Sequence, residues 1–410
     1  MADNTNQVPL HIDNPAIERQ EVADIGTAAC SLRQFLLYFL HLGTFGFGGP
    51  IALAGYMQRD LVEQRRWISK QDYGQGLALA QLAPGPLAAQ LAMYLGWVRG
   101  GTLGATLVSA TFILPSFLMV LVLSWLYLQY RGLSWMQGAF YGIGAAVIAI
   151  IARSAYKLAR MTLSKDRLLW VLCGISALVT AWTESEIVWL FVLCGVVAWL
   201  IKAPPRSGFG SFTLTLAFWP ESLFTGLHGP ASSEALWKIG WYFAEAGAFV
   251  FGSGLAIVPF LYGGVVDDFH WLNEQQFLDA VAVAMITPGP VVITVAFIGY
   301  LVAGPLGAII AAIGVFLPCY LFVVIPAPYY RRFAGNRSIK AFVDGVTAAA
   351  TGAIAGAAFV LGRRAIIDIP TALICIGTLL LLIQLKKLPE PLVILGAGAL
   401  GLALRGAISL

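Results

Sequence analysis

Two stretches of the 410-residue sequence, QLAPGPLAAQ at Gln81–Gln90 and MITPGPVVIT at Met285–Thr294, place Pro-Gly-Pro inside otherwise apolar segments. Proline removes a backbone hydrogen-bond donor and clashes with the preceding helical turn, and glycine weakens a helix further. We therefore expect a membrane helix to be interrupted at both places. The two triplets lie 204 positions apart, and the same spacing recurs elsewhere in the chain.

The composition is that of a membrane protein. Hydrophobic residues make up 59% of the chain and charged residues only 11%, whereas soluble proteins carry about a quarter charged residues. Apolar stretches such as Ala105–Leu126 and Leu306–Ile325 have the length needed for a bilayer core of about 30 Å. The five cysteines form no Cys-x-x-Cys and the four histidines are scattered. We therefore expect no disulfide framework, no metal site and no cofactor.

The apolar segments predict an all-α polytopic membrane protein built from two halves of six segments each. A polar N-terminal stretch covers residues 1–33, the first membrane repeat 34–201, a polar linker 202–235 and the second repeat 236–410. The N-terminal stretch lacks a basic region before an apolar core, so no cleaved signal peptide is expected. The twelve predicted segments are 34–58, 73–98, 102–126, 136–157, 168–183, 186–201, 236–262, 277–302, 305–330, 341–362, 369–385 and 391–408.

The two halves repeat each other in sequence. At an offset of 203, GTLGA to FILP at Gly101–Pro115 parallels GPLGA to VFLP at Gly304–Pro318. The identities at an offset of 204 include the Pro-Gly-Pro triplets, Gly43/Gly247, Phe45/Phe249, Phe47/Phe251, Gly48/Gly252, Trp67/Trp271 and Gln71/Gln275. Chance similarity of two apolar sequences is the alternative, but ungapped identity of Trp, Gln and Pro-Gly-Pro favours a duplication.

The charges of the loops predict that the two halves are inserted upside down relative to each other. Loop 59–72 carries four basic residues and its counterpart 263–276 carries none, whereas loop 127–135 carries one and its counterpart 329–340 carries four. Basic loops stay in the cytoplasm. Basic residues at 157–167 and 363–364 do not follow this alternation. Between loops 59–72 and 127–135 one of two apolar segments must return to its starting side, and the Pro-Gly-Pro segment is the candidate for a re-entrant hairpin or broken helix.

A second pair of interruptions, FGFGGP at Phe45–Pro50 and FVFGSG at Phe249–Gly254, adds to the Pro-Gly-Pro breaks. Non-helical backbone at membrane depth requires a protein interior or a watery cavity, and paired broken helices are typical of secondary transporters. Half-helices that begin at the breaks would direct positive dipole ends at an anion; the alternative is that the triplets only kink packed helices. The predicted binding or pathway residues are Phe47, Gly48, Gly49, Pro50, Gln81, Pro84, Gly85, Pro86, Gln90, Gly252, Ser253, Gly254, Thr287, Pro288, Gly289, Pro290 and Thr294.

Four ionisable residues are candidates for coupling or gating. His41 and Glu245 occupy equivalent positions inside predicted segments, where an ionisable group is a functional hypothesis by default; the alternative is a neutral group that packs helices. Arg59 and Arg99 lie at predicted membrane borders, where they could attract a dianion or simply set topology. The hydroxyl and amide groups of the predicted site could equally serve only to satisfy neighbouring backbone.

These motifs resemble the chromate ion transporter (CHR) family of bacterial inner-membrane proteins, in its long two-copy form. The matching pieces include FGFGGPIALAGYM at Phe45–Met57, the sequence Arg65–Gly96, and ITPGPVVITVAFIGY in the second half. The resemblance implies export of chromate, a tetrahedral dianion like sulfate, and hence chromate resistance. Two departures stand out: Gly252-Ser253-Gly254 replaces the family's usual glycine-rich motif, and Met285 replaces the glutamine found at Gln81.

Other functions stay open or are disfavoured by the sequence alone. An uptake permease or exchanger for sulfate or another small anion is the main alternative, with the lipid bilayer as environment and a homodimer left open. The chain has no P-loop motif, so transport would be driven by a gradient, by potential or by protons. No nucleophile, acid/base pair or metal spacing suggests an enzyme, and the basic residues lie in loops, where they report orientation rather than nucleic-acid binding.

Overall fold

A computed structural model places fourteen α-helices and no strand in the residues that it describes. The described residues are 28, 30–47, 49–130, 134–163, 166–183, 188–203, 233–249, 254, 257–330, 336–385 and 389–408. Most of the predicted linker, like Gly48, Gly252 and Ser253 of the predicted site, lies outside these ranges.

The helices fall into two series of seven. The first series is α1 Leu32–Phe45, α2 Gly49–Met57, α3 Lys70–Leu82, α4 Leu87–Tyr130, α5 Ser134–Thr162, α6 Arg167–Thr183 and α7 Val188–Lys202. The second is α8 Ser233–Phe249, α9 Ile257–Tyr262, α10 Glu274–Ile286, α11 Thr294–Val324, α12 Arg337–Ala365, α13 Ile369–Gln384 and α14 Glu390–Ile408. The π-helical segments Gln58–Gln64 and Gly263–Asp268 follow α2 and α9, and the 3₁₀ turns Val291–Ile293 and Ala327–Tyr329 flank α11.

The two series repeat each other in the detail of their backbone. Arg66 and His270, 204 positions apart, both have a positive φ, of 53° and 49°, which is uncommon outside glycine. The tryptophan after each of them donates its backbone N–H over 2.8 Å, Trp67 to Leu61 O and Trp271 to Val265 O. The same irregular turn therefore precedes α3 and α10.

Both long helices, α4 and α11, fold back on themselves shortly after they begin. α4 bends at Gly100 and Gly101, and α11 bends at Ala303 and Gly304. Gly101 and Gly304 have φ of 59° and 66°, which favours glycine. In α4 the part before the bend lies so close to the part after it that a Cβ on Gly96 would be 2.6 Å from the Gly104 carbonyl oxygen. Each long helix is therefore a short arm, a turn and a long second part.

The halves interlock through α5 and α12. α5 packs chiefly against α14 and α12 of the other half and less against α13, and α12 packs chiefly against α6 and α7. Small residues let these backbones approach closely: a Cβ on Gly142 of α5 would overlap Ala397 O, and one on Gly352 of α12 would overlap Cys173 O. Each half therefore completes the packing of the other.

Four helical stretches in the described chain are long and apolar enough to cross a membrane: Leu87–Tyr130, Trp135–Arg160, Val291–Tyr329 and Arg337–Ala365. Shorter apolar helices, among them Arg167–Thr183 and Ile369–Gln384, accompany them. The protein is therefore a multi-pass, helical membrane protein. Because of the bend at Gly101, the long second part of α4 runs from Thr102 to Tyr130 and is about 43 Å long by helical rise, which is enough to span a bilayer core.

Candidate functional site at two helical hairpins

The first Pro-Gly-Pro triplet is the tip of a helical hairpin. Gln75 on α3 and Tyr94 on α4 lie on either side of the triplet, 19 residues apart, yet the Tyr94 hydroxyl donates to Gln75 Oε1 over 3.3 Å. An unbroken helix would separate them by roughly 28 Å, so α3 and the first arm of α4 must run back alongside each other. We call residues 70–99 hairpin one and Pro84–Pro86 tip one.

The second triplet is the tip of an equivalent hairpin. Tyr127 of α4 contacts both of its arms, since its hydroxyl donates to Asp279 Oδ2 over 2.7 Å and its ring meets Phe297 at 5.2 Å. Asp279 precedes the triplet and Phe297 follows it, so α10 and the first part of α11 also fold back together. We call residues 274–302 hairpin two and Pro288–Pro290 tip two.

Both hairpins begin at a capped helix end and turn back before they could cross a bilayer. Ser69 accepts a hydrogen bond from Asp72 N at the start of α3, and Asn273 accepts one from Gln276 N at the start of α10. Each first arm has 13 residues, about 20 Å by helical rise, which is shorter than a hydrocarbon core of about 30 Å.

Each tip lies against the long helix of the opposite half. A Cβ built on Gly289 of tip two would overlap the hydroxyl of Ser116 on α4. A Cβ built on Gly85 of tip one would be 3.1 Å from Cys319 Sγ on α11. Ser116 and Cys319 are themselves equivalent, 203 positions apart. The two contacts are therefore related by the same symmetry as the halves.

Ser116 and Cys319 also join each long helix to the first helix of its own half. Ser116 Oγ donates to Gly43 O over 3.4 Å, and Cys319 Sγ donates to Gly247 O over 3.5 Å. Gly43 and Gly247 are close enough to α4 and α11 that a Cβ would overlap Phe112 O and Val315 O, respectively. One buried residue thus links two helices of one half to the tip of the other half.

The glycine motif of α1 also reaches a tip. The backbone N–H of Gly289 donates to Gly46 O over 3.0 Å, so tip two touches the start of FGFGGP. Gly254, at the end of FVFGSG, packs on Val292 immediately after the same tip, with a built Cβ 3.4 Å from Val292 Cγ2. Phe47, Gly49 and Pro50, which follow Gly46 in the sequence, are partly buried.

Gln90 is the polar side chain that closes tip one. It is 0% exposed, and its Nε2 donates to Pro84 O over 2.5 Å. Because a carbonyl only accepts, Pro84 fixes which side of the amide faces the tip. Gln90 Oε1 is buried and has no hydrogen-bond partner among the described residues, which is unusual for a buried polar atom.

The other predicted polar residues differ in placement. Gln81 is exposed at the end of α3. Thr287 and Thr294 are buried at tip two, but their hydroxyls donate to backbone oxygens of Ala284 and Val291 over 3.0 and 2.8 Å. Both threonine hydroxyls therefore satisfy neighbouring backbone carbonyls, which is the alternative to substrate binding given in the sequence analysis.

His41 and Glu245 lie on the outer faces of α1 and α8. Both are exposed, and the His41 ring is 5.1 Å from the ring of Phe45, which is 65% exposed. The faces of α1 and α8 that meet α4 and α11 carry Gly43 and Gly247 instead. The structure therefore does not bring His41 or Glu245 together with the tips.

The two arginines lie at the ends of helices. Arg59 donates to Asp60 Oδ1 over 2.8 Å, and this hydrogen bond raises the pKa of the Arg59 guanidinium above its ordinary value. Arg99 donates to the backbone oxygen of Cys30 and lies roughly 20 Å along the helix from tip one. Neither arginine is placed at a tip.

Sequence reasoning missed four residues that the structure places at the hairpins. Ser116 and Cys319 follow the prolines of FILP and VFLP, so the repeat itself could have identified them. Asp279 lies inside the predicted segment 277–302 and was therefore identifiable as an ionisable residue in an apolar segment. Nothing in the sequence pairs Asp279 with Tyr127, which is 152 positions away.

The comparisons with known proteins agree with the two-fold architecture. The family model described as "Chromate transporter" matches the chain twice, at residues 33–199 and 237–402. A chromate transport protein of Cupriavidus metallidurans is 59% identical over 372 residues, covering 91% of this chain and 93% of that protein. No solved structure matches the chain.

Two further relatives support the assignment. A probable chromate transport protein of Synechococcus elongatus is 58% identical over 379 residues, covering 91% of this chain and 95% of the relative. A chromate transport protein of Pseudomonas aeruginosa is 31% identical over 389 residues, covering 90% and 92%. The resemblance inferred from the motifs is thus confirmed, and the chain belongs to the chromate transporter family in its two-copy form.

Proposed function

We propose that this protein is a secondary transporter that exports chromate across the bacterial inner membrane and so confers chromate resistance. The observation that carries the proposal is the pairing of each Pro-Gly-Pro tip with the long helix of the opposite half, through Gly289 and Ser116 and through Gly85 and Cys319. Chromate is proposed as the substrate because the relatives are named as chromate transport proteins.

The chemistry of the tips suits an oxyanion. The second arm of each hairpin begins directly after its triplet, at Leu87 and at Val291, so helix N-termini with their free N–H groups are directed at the tips. At tip one the Gln90 amide keeps a second Nε2 hydrogen beside the one that it donates to Pro84 O, and at tip two the Ser116 hydroxyl is an uncharged polar group. Donors without a fixed cation bind an anion weakly enough to release it, which transport requires.

Export is favourable for a dianion. With the cytoplasm negative, moving one charge through 100 mV is worth about 2.3 kcal/mol, so a doubly charged anion gains about twice that on leaving the cell. Membrane potential alone could therefore drive efflux, with a proton gradient as an additional source of energy.

We further infer that the two halves are inverted across the membrane. Thr106, near the start of the long second part of α4, forms a hydrogen bond with Tyr320, near the end of α11, over 2.7 Å. This contact supports long helices that run in opposite directions. The opposite charges of loops 59–72 and 263–276 support the same arrangement.

The inversion can be tested by labelling equivalent loop positions. In a cysteine-free background, Gln64→Cys and Asp268→Cys place single thiols at exposed positions 204 residues apart. A membrane-impermeant maleimide applied to spheroplasts should label only the Asp268→Cys protein, and lysis should expose the other. Labelling of both positions from the same side would rule out the inverted arrangement.

The function can be tested in membrane vesicles from cells with and without the protein. Everted vesicles should accumulate radiolabelled chromate when respiration makes their interior positive, and excess sulfate should reduce the accumulation. Sulfate uptake by right-side-out vesicles, without chromate accumulation in everted ones, would instead identify an uptake permease for sulfate.

A further inference from the structure

A buried carboxyl group lies on hairpin two, away from the residues that the proposed function uses. Asp279 is 4% exposed and sits nine positions before tip two on α10. Its Oδ2 accepts a hydrogen bond from the Tyr127 hydroxyl over 2.7 Å, and its Oδ1 accepts one from Gln275 Nε2 over 3.0 Å. Both carboxyl oxygens are therefore held by neutral donors.

No Lys, Arg or His forms an ion pair with Asp279 in the part of the chain that the structure describes. Tyr127 is the titratable group that contacts it, from α4. On α5 and α14, which also pack on α10, Arg153 and Glu390 are within 4.0 Å of each other and form no bond to Asp279. The acidic pair Asp267 and Asp268, on the preceding π-helical segment, is exposed.

A buried carboxylate without a cation is costly in a membrane protein. Neutral donors such as Tyr127 and Gln275 stabilise the ionised form without a neighbouring charge that would make it permanent. Asp279 can therefore exist in both protonation states within the folded protein. That property distinguishes a proton-carrying carboxyl from a structural ion pair.

The other half shows that the packing here does not need a carboxyl. The residue equivalent to Asp279 is Gln75, 204 positions earlier, and it accepts a hydrogen bond from the Tyr94 hydroxyl. An amide thus satisfies a tyrosine hydroxyl at the same place on hairpin one. The carboxyl of Asp279 adds one capacity that Gln75 lacks, which is to bind and release a proton.

We propose that Asp279 is the proton-binding residue through which hairpin two couples anion export to proton entry. This inference rests on the proposed function. In the coupling step, a proton from the outer side binds to one oxygen of the Asp279 carboxylate. The same proton is later released towards the cytoplasm, and no other covalent bond forms or breaks. Ionised Asp279 accepts a charge-assisted hydrogen bond from Tyr127, so protonation weakens the link between hairpin two and α4. Tip two, on the same hairpin, is then free to move.

The experiment uses purified protein in liposomes with the potential clamped at zero by valinomycin and equal potassium. Two rates are measured with radiolabelled chromate: net flux driven by a pH gradient, and tracer exchange at equal chromate and equal pH on both sides. In the wild type, net chromate flux with the pH gradient should be at least five times the net flux without it. Asp279→Asn should keep tracer exchange within threefold of wild type but lose the response to the pH gradient.

Gln75→Asn is the matched control, because it shortens an amide at the equivalent position, and it should keep the full pH response. Chromate changes its own protonation with pH, but it does so equally for all variants, so only differences between variants count. An Asp279→Asn protein whose net flux still responds to the pH gradient like the wild type would overturn the proposal. So would a wild type that carries chromate without any response to the pH gradient.

A second variant keeps the proposal testable if Asp279→Asn does not fold. Tyr127→Phe removes both a donor to the ionised carboxyl and the hydrogen bond that links hairpin two to α4, so exchange should stay high to a pH at least about half a unit above that of the wild type. An unchanged pH profile in a folded Tyr127→Phe protein would overturn the assignment. Absence of chromate flux in the wild type would instead defeat the proposed function itself.

Discussion

Replacing Gly289 by alanine is expected to lower chromate flux roughly a hundredfold, because tip two has no room for a side chain. Gly289 has φ of 95°, a conformation that costs an L-residue about 1–3 kcal/mol. Its Cβ would overlap Ser116 Oγ, so the backbone that donates to Gly46 O would have to shift. The measurement is chromate flux in proteoliposomes, with membrane insertion checked by the yield of folded protein in detergent.

Gly304→Ala is the matched control for this variant. Gly304 also has a positive φ, of 66°, but nothing lies within 4 Å of a Cβ built there, and it forms the bend of α11 rather than a tip. It should share the backbone strain and keep more than half of the wild-type flux. Adding Ser116→Gly to Gly289→Ala should restore part of the lost flux by removing the overlap. Normal flux through Gly289→Ala would mean that tip two is not part of the pathway.

Gln90→Leu is expected to lower chromate flux by roughly thirtyfold while the protein still inserts and folds. Leucine is of similar size but cannot donate to the oxygen of partly buried Pro84, and a fully buried carbonyl left without a partner costs about 1–3 kcal/mol. The variant also removes Gln90 Oε1, the buried acceptor that has no partner among the described residues. Tip one therefore loses both its internal hydrogen bond and its free polar atom.

Gln81→Leu provides the comparison for Gln90→Leu. Gln81→Leu is the same substitution nine positions earlier, but the Gln81 side chain is exposed at the end of α3. Flux through Gln81→Leu should stay within twofold of wild type in the same proteoliposome assay. If the two variants behave alike, either both normal or both inactive, Gln90 has no special role at tip one.

Much of the fold was predictable because it depends on local chemistry. Pro-Gly-Pro interrupts a helix wherever it stands, and the glycines at Gly101 and Gly304 mark the bends of α4 and α11. The predicted segments 73–98 and 277–302 each contain a triplet, but their sequences could not decide between a kink and a hairpin. That choice depends on contacts between distant residues, such as Tyr94 with Gln75.

The candidate site was less predictable, because nearly every face of these helices is apolar. An amphipathic pattern would have shown which side of α1 faces the interior, but His41 and Gly43 lie in equally apolar surroundings. The structure places Gly43 inside and leaves His41 exposed. Ser116 becomes a tip residue only through the opposite half, which a single segment of sequence cannot reveal.

The measurement that tests the account most directly is chromate flux by the purified protein in liposomes under an imposed potential without a pH gradient. We expect labelled chromate to move towards the positive side, to be slowed by excess sulfate, and to fall to the rate of empty liposomes in the Gly289→Ala protein. Absence of chromate flux under any gradient, or equal flux with and without the Gly289→Ala substitution, would contradict transport at the paired tips.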